Sequence, residues 1–184
     1  MTEISLNVLD IAQNSVKAKA SLIEIEVEIN TLQDFLTVII KDNGTGMGER
    51  ELMRVTDPFF TTRTTREVGL GVSLFKMSAE MTGGSFEITS KQGEGTCVKA
   101  KYILSSIDRM PLGDICATIE TLMVYNTHID FIYNYQIDGE GFSLSTLEMK
   151  EILDGVPLDT PDVAQYIRDY LGENTNAVNK GQIL

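Results

Sequence analysis

The stretch Asp42-Asn43-Gly44-Thr45-Gly46-Met47 decides how the rest of this chain is interpreted. It follows an apolar run, residues 35–40, which predicts a buried strand. A carboxylate therefore stands at the end of a strand, and Gly44 and Gly46 follow it without a Cβ that would keep a ligand away. Such a strand end suits the binding of a nucleotide base, but Asp-Asn-Gly is also the sequence of an ordinary turn. The motifs in the rest of the chain decide between these two interpretations.

The composition of the 184-residue chain is that of a globular protein, with 42% hydrophobic residues. No apolar run is long enough to span a bilayer, and residues 1–5 lack the basic start and apolar core of a signal peptide. Cys97 and Cys116 form neither a disulfide framework nor a metal-type cluster. We therefore expect a cytoplasmic protein with reduced thiols that does not contact a membrane.

The negative charge is concentrated in the second half of the chain. The net charge is −12, and residues 105–184 hold 13 acids but only 4 bases. An acidic surface repels phosphate backbones and anionic lipids, so we expect no nucleic-acid partner.

The first predicted element is an amphipathic helix over residues 4–18. Asp10, Asn14 and Lys17 follow one another at i, i+4 and i+7, which places them on one face, opposite the apolar residues. This face is either a solvated surface with an Asp–Lys attraction or part of a site. Asn14 favours a site, because asparagine is a poor helix former and gains nothing there from propensity.

The following elements alternate between strands and helices. Strands are predicted over residues 23–29, 35–41, 85–90 and 96–103, and helices over residues 49–55 and 69–81. The second of these helices begins in the glycine-rich run Gly69-Leu70-Gly71, and a helix N-terminus after such a loop attracts anions. The order predicts an α/β layered sandwich with helices on one face of a mixed or antiparallel sheet.

Four motifs in one order carry a resemblance to a known family. They are Asp10-x-x-x-Asn14, Asp42-x-Gly44-x-Gly46, Gly69-Leu70-Gly71 and Gly95-Thr96. This order resembles the histidine-kinase-like ATPase superfamily (GHKL), which has the Bergerat ATP-binding fold. The runs Asp57-Pro58-Phe59-Phe60-Thr61-Thr62-Arg63 and Asn14-Ser15-Val16-Lys17 are similar to the ATP-binding domain of bacterial sensor histidine kinases. The resemblance covers residues 1–104 and implies an α+β fold, a two-layer sandwich with a mixed sheet.

The resemblance implies that the chain binds ATP and Mg²⁺. Asn14 would coordinate Mg²⁺ through its amide oxygen, and Lys17 would meet phosphate as a point charge. Asp42 would accept a hydrogen bond from the adenine amino group, and the hydroxyl of Thr96 would support the adenine side.

The remaining motif residues would surround the nucleotide. Gly44 and Gly46 would leave room for the base. Gly69-Leu70-Gly71 would shape the end of a lid and offer backbone N–H groups to the phosphates, and Phe59 and Phe60 would hold the base of that lid. Glu67 stands where the family often has glycine, and the segment between Phe60 and Gly69, residues 61–68, is short. Both features predict a small lid.

Asp10 departs from the family pattern. The gyrase-like branch has a glutamate at this position that acts as general base, and aspartate is one methylene shorter. Asp10 is therefore either a general base or a polar residue beside the phosphates and Mg²⁺. Lys17 and Asp10 are the candidate catalytic residues.

The histidine pattern also departs from the family. Sensor kinases carry a phospho-accepting histidine on helices before the ATP-binding domain, whereas here only nine residues precede Asp10. The single histidine, His128, lies in a stretch that reads as strand, residues 127–131, which favours a structural histidine. We therefore expect a stand-alone domain without a phospho-acceptor.

The second half predicts a small α+β module. A linker over residues 105–113 separates the ATP-binding domain, residues 1–104, from this module, residues 114–172, and a flexible tail follows over residues 173–184. The expected elements are a helix at residues 114–125, a hairpin of strands at 129–137 and 142–144, a helix opened by the capping box Ser145-x-x-Glu148, and a helix that begins at Thr160-Pro161 and ends near Leu171-Gly172. The module contains no nucleophile or ligand cluster, so we expect it to bind a partner or to form a homodimer.

Three functions remain open at this point. The first is an ATP- and Mg²⁺-dependent kinase that phosphorylates a separate protein in a bacterial signalling or regulatory system. The second is a nucleotide-gated switch or scaffold with little turnover. The third is a gyrase-like hydrolase with Asp10 as general base. The kinase-type motifs favour the first two.

Overall fold

The computed structural model describes residues 3–55 and 70–180, which form an α+β fold around one six-stranded sheet. The helices are α1 (Ile4–Lys17), α2 (Glu49–Val55), α3 (Leu70–Met81), α4 (Ile115–Tyr125), α5 (Thr146–Leu153) and α6 (Pro161–Asn179). The strands are β1 (Leu22–Asn30), β2 (Phe35–Asp42), β3 (Ser85–Lys91), β4 (Gly95–Ile103), β5 (Asp130–Ile137) and β6 (Glu140–Ser145).

The sheet is mixed, as predicted. Its strand order is β3-β4-β2-β1-β5-β6, and every neighbouring pair is antiparallel except β1 and β5, which run parallel. The strict alternation of β1 separates the two faces of the sheet. Ile23, Ile25, Val27 and Ile29 are each at most 2% exposed on the helix-covered face, whereas the intervening glutamates point to the open face.

Both halves of the chain contribute to this sheet and its core. β5 continues the sheet beyond β1, with Ile25 opposite Tyr133, and both side chains are buried in the core that also contains α1 and α3 residues. The segment predicted as a linker is held against α1, because Ile4 and Ser5 donate backbone hydrogen bonds to the carbonyls of Pro111 (3.0 Å) and Leu112 (2.9 Å). The division into two domains therefore stays a prediction, whereas the continuity of the sheet is observed.

The predicted end of the last helix near Leu171-Gly172 is wrong. α6 continues through Gly172 to Asn179, so most of the predicted tail is helical. Leu171 and Thr175 are buried, and Tyr135 Oη donates a hydrogen bond to Asn179 Oδ1 at 2.6 Å. These tertiary contacts outweigh the cost of about 1 kcal/mol for a glycine inside a helix.

Two local predictions in the second half also need correction. His128 lies in the exposed turn before β5 and not in the strand. Ser145 is the N-cap of α5, as the capping box predicts, but its side chain makes no capping hydrogen bond. The start of α5 is instead tied to the sheet, because Thr146 Oγ1 accepts a hydrogen bond from the backbone N–H of Phe131 at 2.8 Å.

Candidate functional site

A pocket of about 260 Å³ opens at the end of the sheet where β2 ends. α1 contributes Asn14, Ser15 and Lys17 to its lining, and the sheet contributes Asp42 and Thr96. Its apolar lining comes from the helices and the strands: Ile11, Val55, Val72, Ile88 and Val98. The pocket thus combines apolar walls with a few polar groups, which is the usual composition of a small-molecule site.

Asp42 is the buried polar anchor of this pocket. Its side chain lies on the helix-covered face of the sheet and is 9% exposed. Ser15 Oγ donates to Asp42 Oδ2 at 2.6 Å, and the backbone N–H of Gly44 donates to Asp42 Oδ1 at 2.8 Å. A carboxylate can accept about four hydrogen bonds, so Asp42 is fixed in orientation and retains acceptor capacity for a ligand.

The hydroxyl of Thr96 lies in the same row of the sheet as Asp42. The strand register places Thr96 opposite Asp42 on one side and opposite Ser90 on the other. Thr96 Oγ1 and Ser90 Oγ are 2.8 Å apart, and Ser90 Oγ also accepts a hydrogen bond from the backbone N–H of Met47 at 2.8 Å. These bonds connect the loop after β2 to the ends of β3 and β4.

Two of the three residues on the polar face predicted for the first helix line the pocket. Asn14 and Lys17 line it, whereas Asp10 does not and is half-buried against the start of α3. A Cβ added at Gly71 would lie 3.0 Å from Asp10 Cβ and 3.2 Å from Asp10 Oδ2, so α3 comes close to Asp10 because residue 71 is glycine.

Gly44 and Gly46, in the loop after β2, are required by the protein's own backbone. Gly46 has a φ of +62°, and a Cβ there would lie 2.0 Å from the carbonyl oxygen of Lys91. A Cβ at Gly44 would lie 2.8 Å from the carbonyl oxygen of Ala18. Their predicted role of leaving room for a ligand stays a prediction, because the close neighbours of both positions are other parts of this chain.

The lid predicted over residues 61–68, with Phe59 and Phe60 at its base and Gly69 at its end, lies outside the described residues. Leu70 is described as the first residue of α3. The roles predicted for Gly69, Leu70 and Gly71 toward a ligand therefore stay predictions.

Ser15, Ser90 and Met47 are parts of the site that the sequence prediction missed. Ser15 follows Asn14 directly, and its burial could have been expected from the apolar side of the helix. Ser90 and Met47 are 43 positions apart and meet because β4 pairs with both β2 and β3, and no local sequence signal indicates that contact.

No helix within residues 3–55 and 70–180 has the length and apolar content needed to cross a membrane.

Comparison with known proteins identifies the family. The sequence model described as "Histidine kinase-, DNA gyrase B-, and HSP90-like ATPase" matches residues 2–105. The chain is 36% identical over 108 residues to the sensor protein kinase FleS of Pseudomonas aeruginosa, which covers 59% of this chain and 26% of that protein. It is 29% identical over 108 residues to an NtrY-like sensor histidine kinase of Rickettsia conorii, with coverage of 59% and 18%. The chain thus spans about a fifth to a quarter of these relatives.

A solved structure shares the fold. The N-terminal domain of a DNA repair protein superposes with a TM-score of 0.54 at 16% identity, covering 79% of this chain and 52% of that one. The family match extends over more than half of the chain and includes α1, the loop after β2 and the pocket between them. The chain therefore belongs to the family of histidine kinase-, DNA gyrase B- and HSP90-like ATPases.

Proposed function

We propose that this chain binds ATP together with Mg²⁺ in the pocket at the end of β2 and transfers the γ-phosphate to a separate protein. The observation that carries the proposal is that a buried, oriented carboxylate, Asp42, lines the same pocket as Asn14 and Lys17. A base-reading acceptor and a phosphate-binding pair are the two requirements of a nucleotide site.

The end of the pocket near Asp42 suits adenine. The carboxylate offers acceptors only, and the 6-amino group of adenine is a donor. Val72 from α3 and Ile88 and Val98 from the sheet supply apolar contacts for a flat base. A 6-oxo purine would place an acceptor against Asp42, which is unfavourable because two acceptors repel.

The end of the pocket near Asn14 suits phosphate and a metal ion. Among residues 3–55 and 70–180 there is no group of three or more His, Cys, Asp or Glu side chains arranged to hold a metal ion. Mg²⁺ in nucleotide sites commonly has one or two protein ligands and takes the others from phosphate and water, so the single amide of Asn14 fits this pattern. Bound Mg²⁺ would neutralise phosphate charge, and Lys17 would add a further positive charge beside it.

Transfer to a protein is favoured over hydrolysis by the kinase-type runs, residues 14–17 and 57–63, and by the sensor kinases among the relatives. Asp10 packs against Gly71, beside the run predicted to meet the phosphates, but aspartate is one methylene shorter than the glutamate that acts as general base in the gyrase-like branch. The acidic half of the chain, with α4, β5, β6, α5 and α6, has no cluster of potential metal ligands in its described part, and it is a candidate surface for the protein partner.

The proposal is tested by incubating the purified chain with γ-labelled ATP and a native lysate. A labelled partner that depends on the chain is expected, with no labelling by an Asn14→Ala variant that keeps its fold by circular dichroism. Treatment of the labelled partner with acid distinguishes an acid-labile phosphohistidine or acyl phosphate from an acid-stable ester. ATP binding without any transfer would instead support the nucleotide switch, and steady ATP hydrolysis lost in Asp10→Asn would support the hydrolase.

A further inference from the structure

We infer that Ser90 is a positioning residue that sets base specificity by holding the Thr96 hydroxyl as a hydrogen-bond acceptor toward the pocket. The inference rests on the proposed binding of ATP, and it assigns a role to a residue outside the four motifs. Ser90 acts through Thr96, since Thr96 lines the pocket and Ser90 does not.

Three contacts fill the hydrogen-bonding capacity of the Ser90 hydroxyl. The backbone N–H of Met47 donates to Ser90 Oγ at 2.8 Å, and Ser90 Oγ donates to the carbonyl oxygen of Gly95 at 3.0 Å. The third contact is the 2.8 Å separation from Thr96 Oγ1, in which either hydroxyl could be the donor.

The proton count decides the direction of this third contact. Ser90 has one hydroxyl hydrogen and two lone pairs. The Met47 N–H occupies one lone pair, and donation to Gly95 uses the hydrogen, so one lone pair remains for Thr96. Thr96 therefore donates to Ser90, and all three contacts are hydrogen bonds. In the opposite arrangement Ser90 would lose its bond to Gly95 and leave a lone pair without a donor, so it is less favourable.

This arrangement makes Thr96, like Asp42, a hydrogen-bond acceptor toward the pocket. Once the Thr96 hydrogen is directed to Ser90, the lone pairs of Thr96 Oγ1 remain for a ligand, beside the carboxylate of Asp42. A purine with a 6-amino group presents donors to this surface, and one with a 6-oxo group presents an acceptor. Removing the Ser90 hydroxyl frees the Thr96 hydrogen to turn toward the pocket, where it can donate to a 6-oxo group.

The experiment compares the dissociation constants of ATP and inosine triphosphate for the parent chain and for Ser90→Ala. The two bases differ in the 6-substituent, amino or oxo, and in N1, which is an acceptor in adenine and an N–H donor in hypoxanthine. The parent is expected to prefer ATP, and in Ser90→Ala the preference is expected to fall by about three- to tenfold, the effect of one neutral hydrogen bond. Because both nucleotides are measured on the same protein, a general loss of stability lowers both affinities and leaves their ratio unchanged. Ser85→Ala, an exposed serine on the same strand, is the matched control and is expected to keep the parent ratio.

A second variant separates the role of Ser90 from a structural effect on the loop. In a Thr96→Val background the additional change Ser90→Ala is expected to leave the ratio of the two nucleotides unchanged. An equal fall of both affinities in Ser90→Ala, with the parent ratio kept, would overturn this inference and leave the proposed ATP site intact. Failure of the parent chain to bind either nucleotide would overturn the proposed function and this inference with it.

Discussion

The buried hydrogen bond between Ser15 and Asp42 should be a measurable part of the chain's stability in the absence of any ligand. Ser15 Oγ lies 2.6 Å from Asp42 Oδ2, and the two residues are 3% and 9% exposed. The change Ser15→Ala removes the donor and leaves the carboxylate with the Gly44 N–H as its remaining donor among residues 3–55 and 70–180. A hydrogen bond to a charged group contributes about 1.5–3 kcal/mol, so the expected loss is about 2 kcal/mol in the free energy of unfolding.

The assay is thermal and urea-induced unfolding followed by circular dichroism without nucleotide. For a chain of this size a loss of about 2 kcal/mol corresponds to a fall of roughly 4–8 °C in Tm. Ser5→Ala is the matched control, since Ser5 is equally buried on the same helix but its hydroxyl makes a longer bond, 3.3 Å, to Glu3. We expect Ser5→Ala to cost less than about 1 kcal/mol.

A double-mutant cycle isolates the bond itself. In an Asp42→Asn background, Ser15→Ala should cost about 1 kcal/mol, because the charge-assisted part of the interaction is already gone. A Tm for Ser15→Ala within 1 °C of the parent, or an equal cost of Ser15→Ala in both backgrounds, would refute the reasoning.

Three further predictions concern the loop after β2, the buried tyrosines and the end of α6. Gly46→Ala should destabilise the chain by at least about 2 kcal/mol in urea unfolding, because the φ of Gly46 is +62° and the new Cβ would meet a carbonyl oxygen at 2.0 Å. Gly48→Ala is the control and should be nearly neutral, because a Cβ there meets no described atom within 4 Å. Burial raises the pKa of Tyr135 to about 12. The protonated Tyr135 hydroxyl therefore contributes to stability fully below pH 10, and this contribution is lost as the pH rises toward 12. The urea midpoint should accordingly fall less between pH 9 and about 11.5 in Tyr135→Phe than in the parent. Asn179→Ala should lower the free energy of unfolding by about 1 kcal/mol through the lost hydrogen bond to Tyr135. Asn176 is exposed on the same helix, so Asn176→Ala should leave Tm unchanged. Equal effects of the two changes would contradict the packing of the end of α6 against Tyr135.

The elements that the sequence predicted well are those with a strong local pattern. β1 alternates apolar residues and glutamates without interruption, and α1 places its apolar residues on one side, so both were predicted to within one residue at each end. Asn14, Lys17, Asp42, Gly46 and Thr96 line the pocket, whereas Gly44 and Gly71 do not, and the roles predicted for all of them toward a ligand stay predictions.

The features that the sequence did not predict depend on contacts between distant residues. The parallel pairing of β5 with β1 joins residues more than a hundred positions apart and has no local signature. The length of α6 is set by the burial of Leu171 and Thr175, which a glycine between them hides in the sequence. The anchoring of Asp42 by Ser15 and of Thr96 by Ser90 likewise needs the folded arrangement of helix and hairpin.

Asp42 also provides a direct test of whether this pocket is a nucleotide site. The measurement is the dissociation constant of Mg-ATP by isothermal titration calorimetry for the parent chain and for Asp42→Asn, with the fold of both proteins checked by circular dichroism at the same temperature. Replacing a buried charged acceptor with a neutral amide should weaken binding at least about tenfold, since a hydrogen bond to a charged group contributes about 1.5–3 kcal/mol. Binding of Mg-ATP to a folded Asp42→Asn variant with the affinity of the parent would contradict the assignment of this carboxylate to the adenine base.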